Sequence, residues 1–147
     1  MGAKKAQALA EAVGKAMYAV DHCDHLNGVV LEEIGPGRAR MSMIVRQDQA
    51  NGHGSCHGGV IFILADSCFA YACNSYNQNA VAASCNIVFP APARIGDKLT
   101  AVAEEKHRKG RSGVYDITVT NQHEEVVALF RGHSRRVEGS IVPEEEI

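Results

Sequence analysis

The sequence predicts an α+β fold in which one curled antiparallel sheet wraps around a single long central helix. Three observations predict it: an apolar segment of helical character at residues 58–75, two strand-like segments before it, and four strand-like segments after it. A long antiparallel sheet has one apolar face to cover. One buried helix can cover that face if the sheet curls around it. A chain of 147 residues suits one domain, so we expect residues 1–147 to form a single domain.

The elements before the central helix follow from residue spacing. Apolar residues recur at helical intervals over residues 3–20, which predicts that residues 1–28 form a helical N-terminal extension. Alternating apolar residues and turn-forming glycines then predict a hairpin. Its parts are a strand at 29–34, the turn Gly35-Pro36-Gly37, and a strand at 39–45. The polar, glycine-bearing segment 46–57 is expected to be a loop.

The central segment, residues 58–75, is rich in alanine, poor in β-branched residues, and apolar on every side. A helix that is apolar all round is a buried one. Its own sheet can cover only part of this surface. We therefore expect a second copy of the chain to cover the rest.

Four strands are predicted after the central helix, at residues 81–89, 99–106, 114–119 and 125–135. In the first of them, strict alternation would put five side chains on one face: Val81, Ala83, Cys85, Ile87 and Phe89. Hairpin turns are expected at Gly110 and at residues 122–124. The polar tail, residues 140–147, is expected to fray.

Composition limits the classes of function. Apolar residues make up 46% of the chain and charged residues 22%, as in ordinary globular proteins. The net charge of −2 argues against a general nucleic-acid binder. There is no run of about 18 apolar residues and no signal-peptide core, so no membrane segment is expected. The five cysteines form no disulfide pattern, which predicts reduced thiols in the cytoplasm.

Two features of the central segment suggest chemistry. Gly58 and Gly59 begin the predicted helix, where free N–H groups and the helix dipole favour negative charge. They fit either an oxyanion hole or merely a tight turn into a helix. Asp66 is the only charged residue between Gly58 and Cys73. Because burying an unpaired carboxylate costs several kcal/mol, Asp66 is expected to be functional or bonded for structural reasons.

The segment NGHGSCHGGVIFILADSCFAYACNS, residues 51–75, resembles the signature of hot-dog-fold thioesterases of the phenylacetate-degradation (PaaI) type. The matching residues are Asn51, His57-Gly58-Gly59, Leu64-Ala65-Asp66 and Ala70-Tyr71-Ala72. The likeness continues through GDKLTA, GVYDI and VALFRG and covers about residues 35–139. It implies a hot-dog fold and an acyl-CoA thioesterase. The implied substrate is an aryl-acetyl-CoA of the phenylacetyl-CoA or hydroxyphenylacetyl-CoA type.

The resemblance also implies roles for individual residues. The Gly58 N–H would polarise the thioester carbonyl, and Asp66 would activate water or attack the carbonyl itself. Asn51 and His57 match residues that hold the thioester and the attacking water. Gly59, Ser67 and Phe62 are expected to contact the substrate, and a basic turn is expected to bind the CoA phosphates. That turn comprises Lys109, Arg111 and Ser112, with Arg135 and Arg136 as further candidates. No cofactor is implied, because coenzyme A is part of the substrate.

The distance between two of these residues predicts an oligomer. Gly58 and Asp66 are eight residues apart, which is about 12 Å along a helix. One carbonyl carbon cannot lie within about 3.5 Å of both. Gly58 of one copy should therefore act with Asp66 of another, which is similar to the family arrangement. We expect at least a homodimer, and the resemblance implies a tetramer.

Other interpretations stay open at this point. His22-Cys23-Asp24-His25 resembles a metal cluster but lacks a second ligand pair, whereas a structural zinc needs four protein ligands; no metal site is predicted. Cys56 with His57 could form a nucleophile–base pair. A hot-dog dehydratase or hydratase is a second class of enzyme, although the aspartate occupies the thioesterase position. A non-catalytic acyl-CoA-binding protein is a third class.

Overall fold

In the computed structural model, which describes residues 1–143, six antiparallel strands curl around one central helix. The helices are α1 (Ala3–Ala19), α2 (His22–Asn27) and α3 (Gly58–Asn74), and the strands are β1 (Val30–Gly35), β2 (Arg38–Ile44), β3 (Ala80–Val88), β4 (Lys98–Lys109), β5 (Ser112–Thr120) and β6 (Val126–Arg136). The strand order in the sheet is β1-β2-β4-β5-β6-β3. This is the hot-dog arrangement, and the predicted α+β class is confirmed.

Helix α3 forms the centre of the core. Leu64, Ala65 and Cys68 are completely buried, and alternate residues of the strands pack against them from the inner face of the sheet. Close packing depends on one glycine in β6. A side-chain carbon at Gly132 would lie 2.8 Å from three ring atoms of Phe69, so the absent side chain lets β6 approach the helix.

A bulge in β3 changes the faces predicted for that strand. Ala82 pairs with Ser134, whereas Ser84 pairs with His133, so β3 contains one extra residue at this point. An extra residue moves the following side chains to the other face. The prediction that Val81 and Cys85 share a face is therefore wrong.

Helix α2 was not predicted, because a helix of six residues is too short to show apolar periodicity. Its local signals are nevertheless ordinary. Asp21 caps the helix by accepting a hydrogen bond from the Asp24 N–H, 3.2 Å. Gly28, in the left-handed conformation with φ 71°, ends it.

Part of the tail that was expected to fray is held in place. The N–H groups of Ile141 and Val142 donate to Asn77 Oδ1 at 3.0 and 2.9 Å. Val142 is buried with Leu9 and Val13 of α1. The prediction of fraying is wrong for these two residues, and residues 144–147 lie outside the described residues. Within residues 1–143, no helix is long and apolar enough to cross a membrane.

Candidate active site

The start of α3 offers one open hydrogen-bond donor. His57 is the N-cap residue, and its Nδ1 accepts a hydrogen bond from the Gly59 N–H, 2.9 Å. The Gly58 N–H has no acceptor among residues 1–143. Of the two glycines, Gly58 therefore supplies the available donor, at the positive end of the helix dipole. The Gly59 N–H is used within the fold, and the expected contact of Gly59 with the substrate stays a prediction.

The open donor faces a cleft of about 320 Å³. Gly58 lines it together with Asn51 and Cys56, and the opposite wall is apolar: Phe89, Pro90, Ala91, Pro92 and Ala93. A side-chain carbon at Gly58 would lie 3.3 Å from Phe89 Cζ. The missing side chain therefore keeps the cleft open beside the donor.

Asn51 organises the loop that forms this cleft. Its Oδ1 accepts hydrogen bonds from the N–H groups of His53, 2.9 Å, and Ser55, 3.3 Å. Its Nδ2 donates to no acceptor in the described part of the chain. Asn51 can therefore donate to a carbonyl oxygen. Its oxygen is used by the loop, and the role of Asn51 in holding the thioester stays a prediction.

Asp66 lies two turns further along α3 and does not line this cleft. Its side chain is half-buried, and burial raises the pKa of its carboxyl above the ordinary value. The pKa of the Cys85 thiol in β3 is raised, mainly by burial and second by the charge of Asp66. In a single copy of the chain, the open donor and the carboxyl remain separate.

Two further predicted substrate contacts are used within the fold. The Ser67 hydroxyl donates to Asp24 Oδ1 at 2.6 Å, so it is turned toward α2 and not toward a substrate beside Asp66. This hydrogen bond does not support a substrate contact by Ser67, which stays a prediction. Phe62 is half-buried, with its ring edge-on to that of Phe130 at 5.4 Å between centroids.

The predicted basic turn lies at the β4–β5 hairpin. Arg111 and Ser112 line a shallow cavity together with Arg136 and Arg108. Arg136 was a further candidate from the sequence, whereas Arg108 was not predicted. Lys109 is exposed beside it. Arg108 stacks on the Tyr76 ring at 3.4 Å and approaches Glu105 at 3.6 Å. Among residues 1–143, Arg111 and Arg136 form no ion pair, so their guanidinium groups are available to an anion.

The other interpretations receive little support from the geometry. Burial raises the pKa of the Cys56 thiol to about 11, which disfavours a thiolate nucleophile. Two of the four residues of the suspected metal cluster have other partners: Asp24 is buried and bonded to Ser67, and the His25 ring packs at a tilt against Tyr18. No three His, Cys, Asp or Glu side chains converge within residues 1–143.

Comparison with known proteins identifies the family. Residues 53–128 match the model of the thioesterase superfamily. Over 129 residues the chain is 47% identical to acyl-coenzyme A thioesterase PaaI of Escherichia coli, a match that covers 88% of this chain and 92% of that protein. The chain belongs to the thioesterase superfamily. The resemblance seen in the sequence is therefore confirmed.

Solved structures of thioesterase relatives agree with the fold. The Escherichia coli PaaI structure superposes on this thioesterase with a TM-score of 0.90 and 45% identity, covering 91% of this chain and 97% of that one. A Streptococcus mutans protein solved with acetyl-CoA superposes with a TM-score of 0.74 and 25% identity, covering 76% and 90% of the two chains. The hot-dog fold of this thioesterase is thus shared with both.

Sequence reasoning missed Phe89 as part of the cleft of this thioesterase. It had assigned Phe89 to a strand face, whereas β3 ends at Val88 and the following prolines hold Phe89 opposite Gly58. The Pro90 and Pro92 that end the strand were the available signal, because proline stops a strand and fixes the chain direction after it.

Proposed function

We propose that this protein is a cytoplasmic acyl-CoA thioesterase that hydrolyses aryl-acetyl-CoA thioesters at a site built by two copies of the chain. One observation carries the proposal: the Gly58 N–H is an open donor in a cleft that also contains Asn51. Hydrolysis of a thioester develops negative charge on the carbonyl oxygen. A fixed N–H donor at a helix N-terminus stabilises such charge where it forms.

The Asp66 carboxylate would supply the second half of the chemistry. Its burial-raised pKa brings it closer to neutral pH, which favours proton transfer. As a general base it takes a proton from water while the water oxygen bonds to the carbonyl carbon. The carbon–sulfur bond then breaks, and the departing CoA thiolate receives the proton. As a nucleophile, the Asp66 carboxylate would instead bond to the carbonyl carbon while the carbon–sulfur bond breaks, which gives an anhydride and the CoA thiolate; water then cleaves the anhydride to the free acid and Asp66, and its proton goes to the thiolate.

The second copy is proposed because one copy separates these two groups. Gly58 and Asp66 are eight positions apart, which corresponds to about 12 Å of helix. The side of α3 that the sheet leaves half-exposed has residues at helical spacing: Phe62, Ile63, Asp66 and Ala70. Three of these four side chains are apolar, so another chain covering them would place Asp66 in the contact.

Strand β3 supports the same arrangement. It hydrogen-bonds only to β6 within the described residues, so its other edge is unpaired. Large apolar side chains at its ends are about half exposed, with Val81 and Val88 at 51% and Phe89 at 47%. Antiparallel pairing of β3 with β3 of a second copy would satisfy this edge. It would also bring Phe89, the wall of the Gly58 cleft, close to the second helix. The tetramer implied by the resemblance remains a prediction.

The CoA phosphates are proposed to bind at the β4–β5 turn. Arg111 and Arg136 are adjacent there, since the Arg136 N–H donates to the Arg111 carbonyl oxygen at 2.7 Å. Two unpaired guanidinium groups suit bidentate contact with phosphate oxygens, and the Ser112 hydroxyl can add a third donor. Lys109 would contribute charge only. The acyl group would lie along α3 beside Phe62.

The test is thiol release from phenylacetyl-CoA by the wild type and two variants. Asp66→Asn removes the base and should lower kcat by about 100- to 10,000-fold. Gly58→Pro removes the N–H donor without breaking the helix, because proline is well tolerated at the first position of a helix. Gly58→Ala keeps the N–H and adds a side-chain carbon 3.3 Å from Phe89 Cζ, so it controls for the bulk that proline adds to the cleft. His57 already has the extended conformation that a following proline requires, φ −60° and ψ 133°. Gly58→Pro should lower kcat by about 100- to 1,000-fold.

Mixing the two inactive variants tests the two-copy site. After unfolding and refolding together, a mixed dimer has one intact site, so random pairing should restore about one quarter of wild-type activity. No restoration, with mixed dimers demonstrated by differently tagged chains, would contradict a site shared between copies. Tight binding of the thioester by the wild type without thiol release would instead favour a non-catalytic acyl-CoA binder. Hydration of an unsaturated acyl-CoA would favour the hydratase class.

A further inference from the structure

Helix α2 connects the two halves of the candidate site, although none of its residues lines the cleft. On one side it is bonded to α3 next to Asp66. Asp24, fully buried, accepts a hydrogen bond from the Ser67 hydroxyl at 2.6 Å. One turn further along α3, the Tyr71 hydroxyl donates to Asp21 Oδ2 at 3.1 Å. The position of α2 is thus fixed relative to the helix that carries Asp66.

On its other side, α2 is bonded to the loop that precedes α3. The central residue of this connection is Gln49, which is 4% exposed. Its Nε2 donates to the main-chain oxygen of Asn27, 3.0 Å, and to the side-chain oxygen of the same residue, 3.3 Å. Its Oε1 accepts from the Arg46 N–H at 2.9 Å. The side-chain amide of Gln49 therefore donates to α2 through its nitrogen and accepts from the loop through its oxygen.

The same residue also reaches the start of α3. The main-chain oxygen of Gln49 accepts a hydrogen bond from the His57 N–H at 2.8 Å. His57 caps the helix and directly precedes Gly58. A second, weaker connection runs in parallel, because the Arg46 guanidinium donates to the Leu26 carbonyl oxygen of α2 at 3.0 Å. Displacement of Gln49 would therefore be transmitted to the residue that sets the direction of the Gly58 N–H.

We propose that Gln49 is a positioning residue, which holds the Gly58 N–H in place by joining the loop of residues 46–57 to α2. This inference rests on the proposed function, because it assigns Gln49 to the oxyanion donor of that reaction. The amide meets both requirements of the position, which needs a donor toward Asn27 and an acceptor toward Arg46 at the same time. A carboxylate would lack the donor, and an apolar side chain would lack both.

The size of the expected effect follows from the sensitivity of catalysis to geometry. A displacement of about 1 Å at a reacting group can cost about 100-fold in rate. Loss of the Gln49 amide leaves the Gly58 N–H present but less firmly directed. We therefore expect an effect on kcat that is smaller than that of removing the donor. Because an oxyanion donor acts mainly in the transition state, KM should change little.

The experiment compares Gln49→Met with a control of similar burial, Val13→Ala. Val13 is fully buried in α1 against Leu9 and Val142 and has no bond to the loop. In Gln49→Met, we expect amide hydrogen exchange of residues 51–59 to become about tenfold faster, because the three hydrogen bonds of the Gln49 side chain are lost. We expect kcat for phenylacetyl-CoA to fall about 10- to 100-fold with KM within about threefold. Val13→Ala should leave both the hydrogen exchange of residues 51–59 and kcat unchanged.

Wild-type exchange and wild-type kcat in Gln49→Met would overturn the inference, as would an equal loss in Val13→Ala. If Gln49→Met does not fold, Arg46→Ala removes the parallel connection from a half-exposed side chain. It must then show faster exchange of the same segment with a smaller fall in kcat, and its failure to do so overturns the inference. A wild type that releases no thiol from any thioester would refute the proposed function instead. The exchange measurement would still report whether Gln49 holds the loop.

Discussion

Replacing the buried Asp24 by asparagine is expected to stabilise the folded protein at pH 8 and leave it nearly unchanged at pH 4. Asp24 is completely buried, and its Oδ2 has no hydrogen-bond partner within residues 1–143. The pKa of Asp24 is raised to about 7, mainly by burial and second by the neighbouring Asp21 carboxyl. The hydrogen bond from the Ser67 hydroxyl acts in the opposite direction and lowers this pKa. Charged groups that face it also include His25, which lowers the pKa.

The magnitude follows from the difference between folded and unfolded states. The folded carboxyl keeps its proton up to about pH 7, whereas the unfolded carboxyl loses it at its ordinary pKa of 3.8. The folded state thus binds more protons between these values, and the stability contributed by Asp24 falls as pH rises from about 4 to about 7. Three pKa units correspond to about 4 kcal/mol. Asparagine keeps an oxygen for Ser67 and carries no charge at any pH.

The assay is urea unfolding of both proteins at pH 4, 5.5, 7 and 8 and at one fixed protein concentration, since association also contributes to stability. The difference in unfolding free energy between Asp24→Asn and wild type should grow through this range and level off above pH 7. Asp48→Asn, on a side chain that is 71% exposed, should keep the wild-type pH slope. An Asp24→Asn protein with the wild-type slope would refute the reasoning.

Two further predictions concern the cleft and the core. Cys56→Ala should keep thiol release within about threefold of wild type, because a buried thiol with a pKa of about 11 is not the nucleophile; loss of activity in a folded Cys56→Ala protein would contradict this. Gly132→Ala should lower stability by about 1–3 kcal/mol, since the added carbon would lie 2.8 Å from the Phe69 ring. Thermal unfolding measures the change, and Gly52→Ala, where nothing lies within 4 Å, serves as the control and should leave the midpoint unchanged.

The sequence was sufficient for the elements that local patterns determine. Apolar residues on every side of residues 58–75 predicted the central helix, which spans Gly58–Asn74. Glycines and alternating residues predicted the first hairpin, and the structure has it at Val30–Gly35 and Arg38–Ile44. The extra residue in β3 could not be predicted, because a bulge depends on the partner strand as well as on the strand itself.

The candidate site was predictable only where its residues act through their own backbone. Gly58 was identified because a helix N-terminus exposes N–H groups wherever it occurs. The hydrogen bond of Ser67 was not predicted, because the direction of its hydroxyl depends on α2, whose Asp24 is 43 residues away in sequence. Gln49 was missed for the same reason. Its partner Asn27 is 22 residues away, and no local pattern marks such a pair.

Strand β3, AVAASCNIV, contains no charged residue and no proline. Charges, prolines and bulges are the means by which many proteins keep an exposed strand from joining a foreign one, and β3 has only the bulge between Ala82 and Ser84, near its start. In a newly synthesised molecule, the unpaired edge of β3 can therefore form hydrogen bonds with a strand of another chain. When the protein concentration is low, a newly made chain takes longer to meet a second copy. Pairing of β3 with unrelated unfolded chains then competes with the correct association.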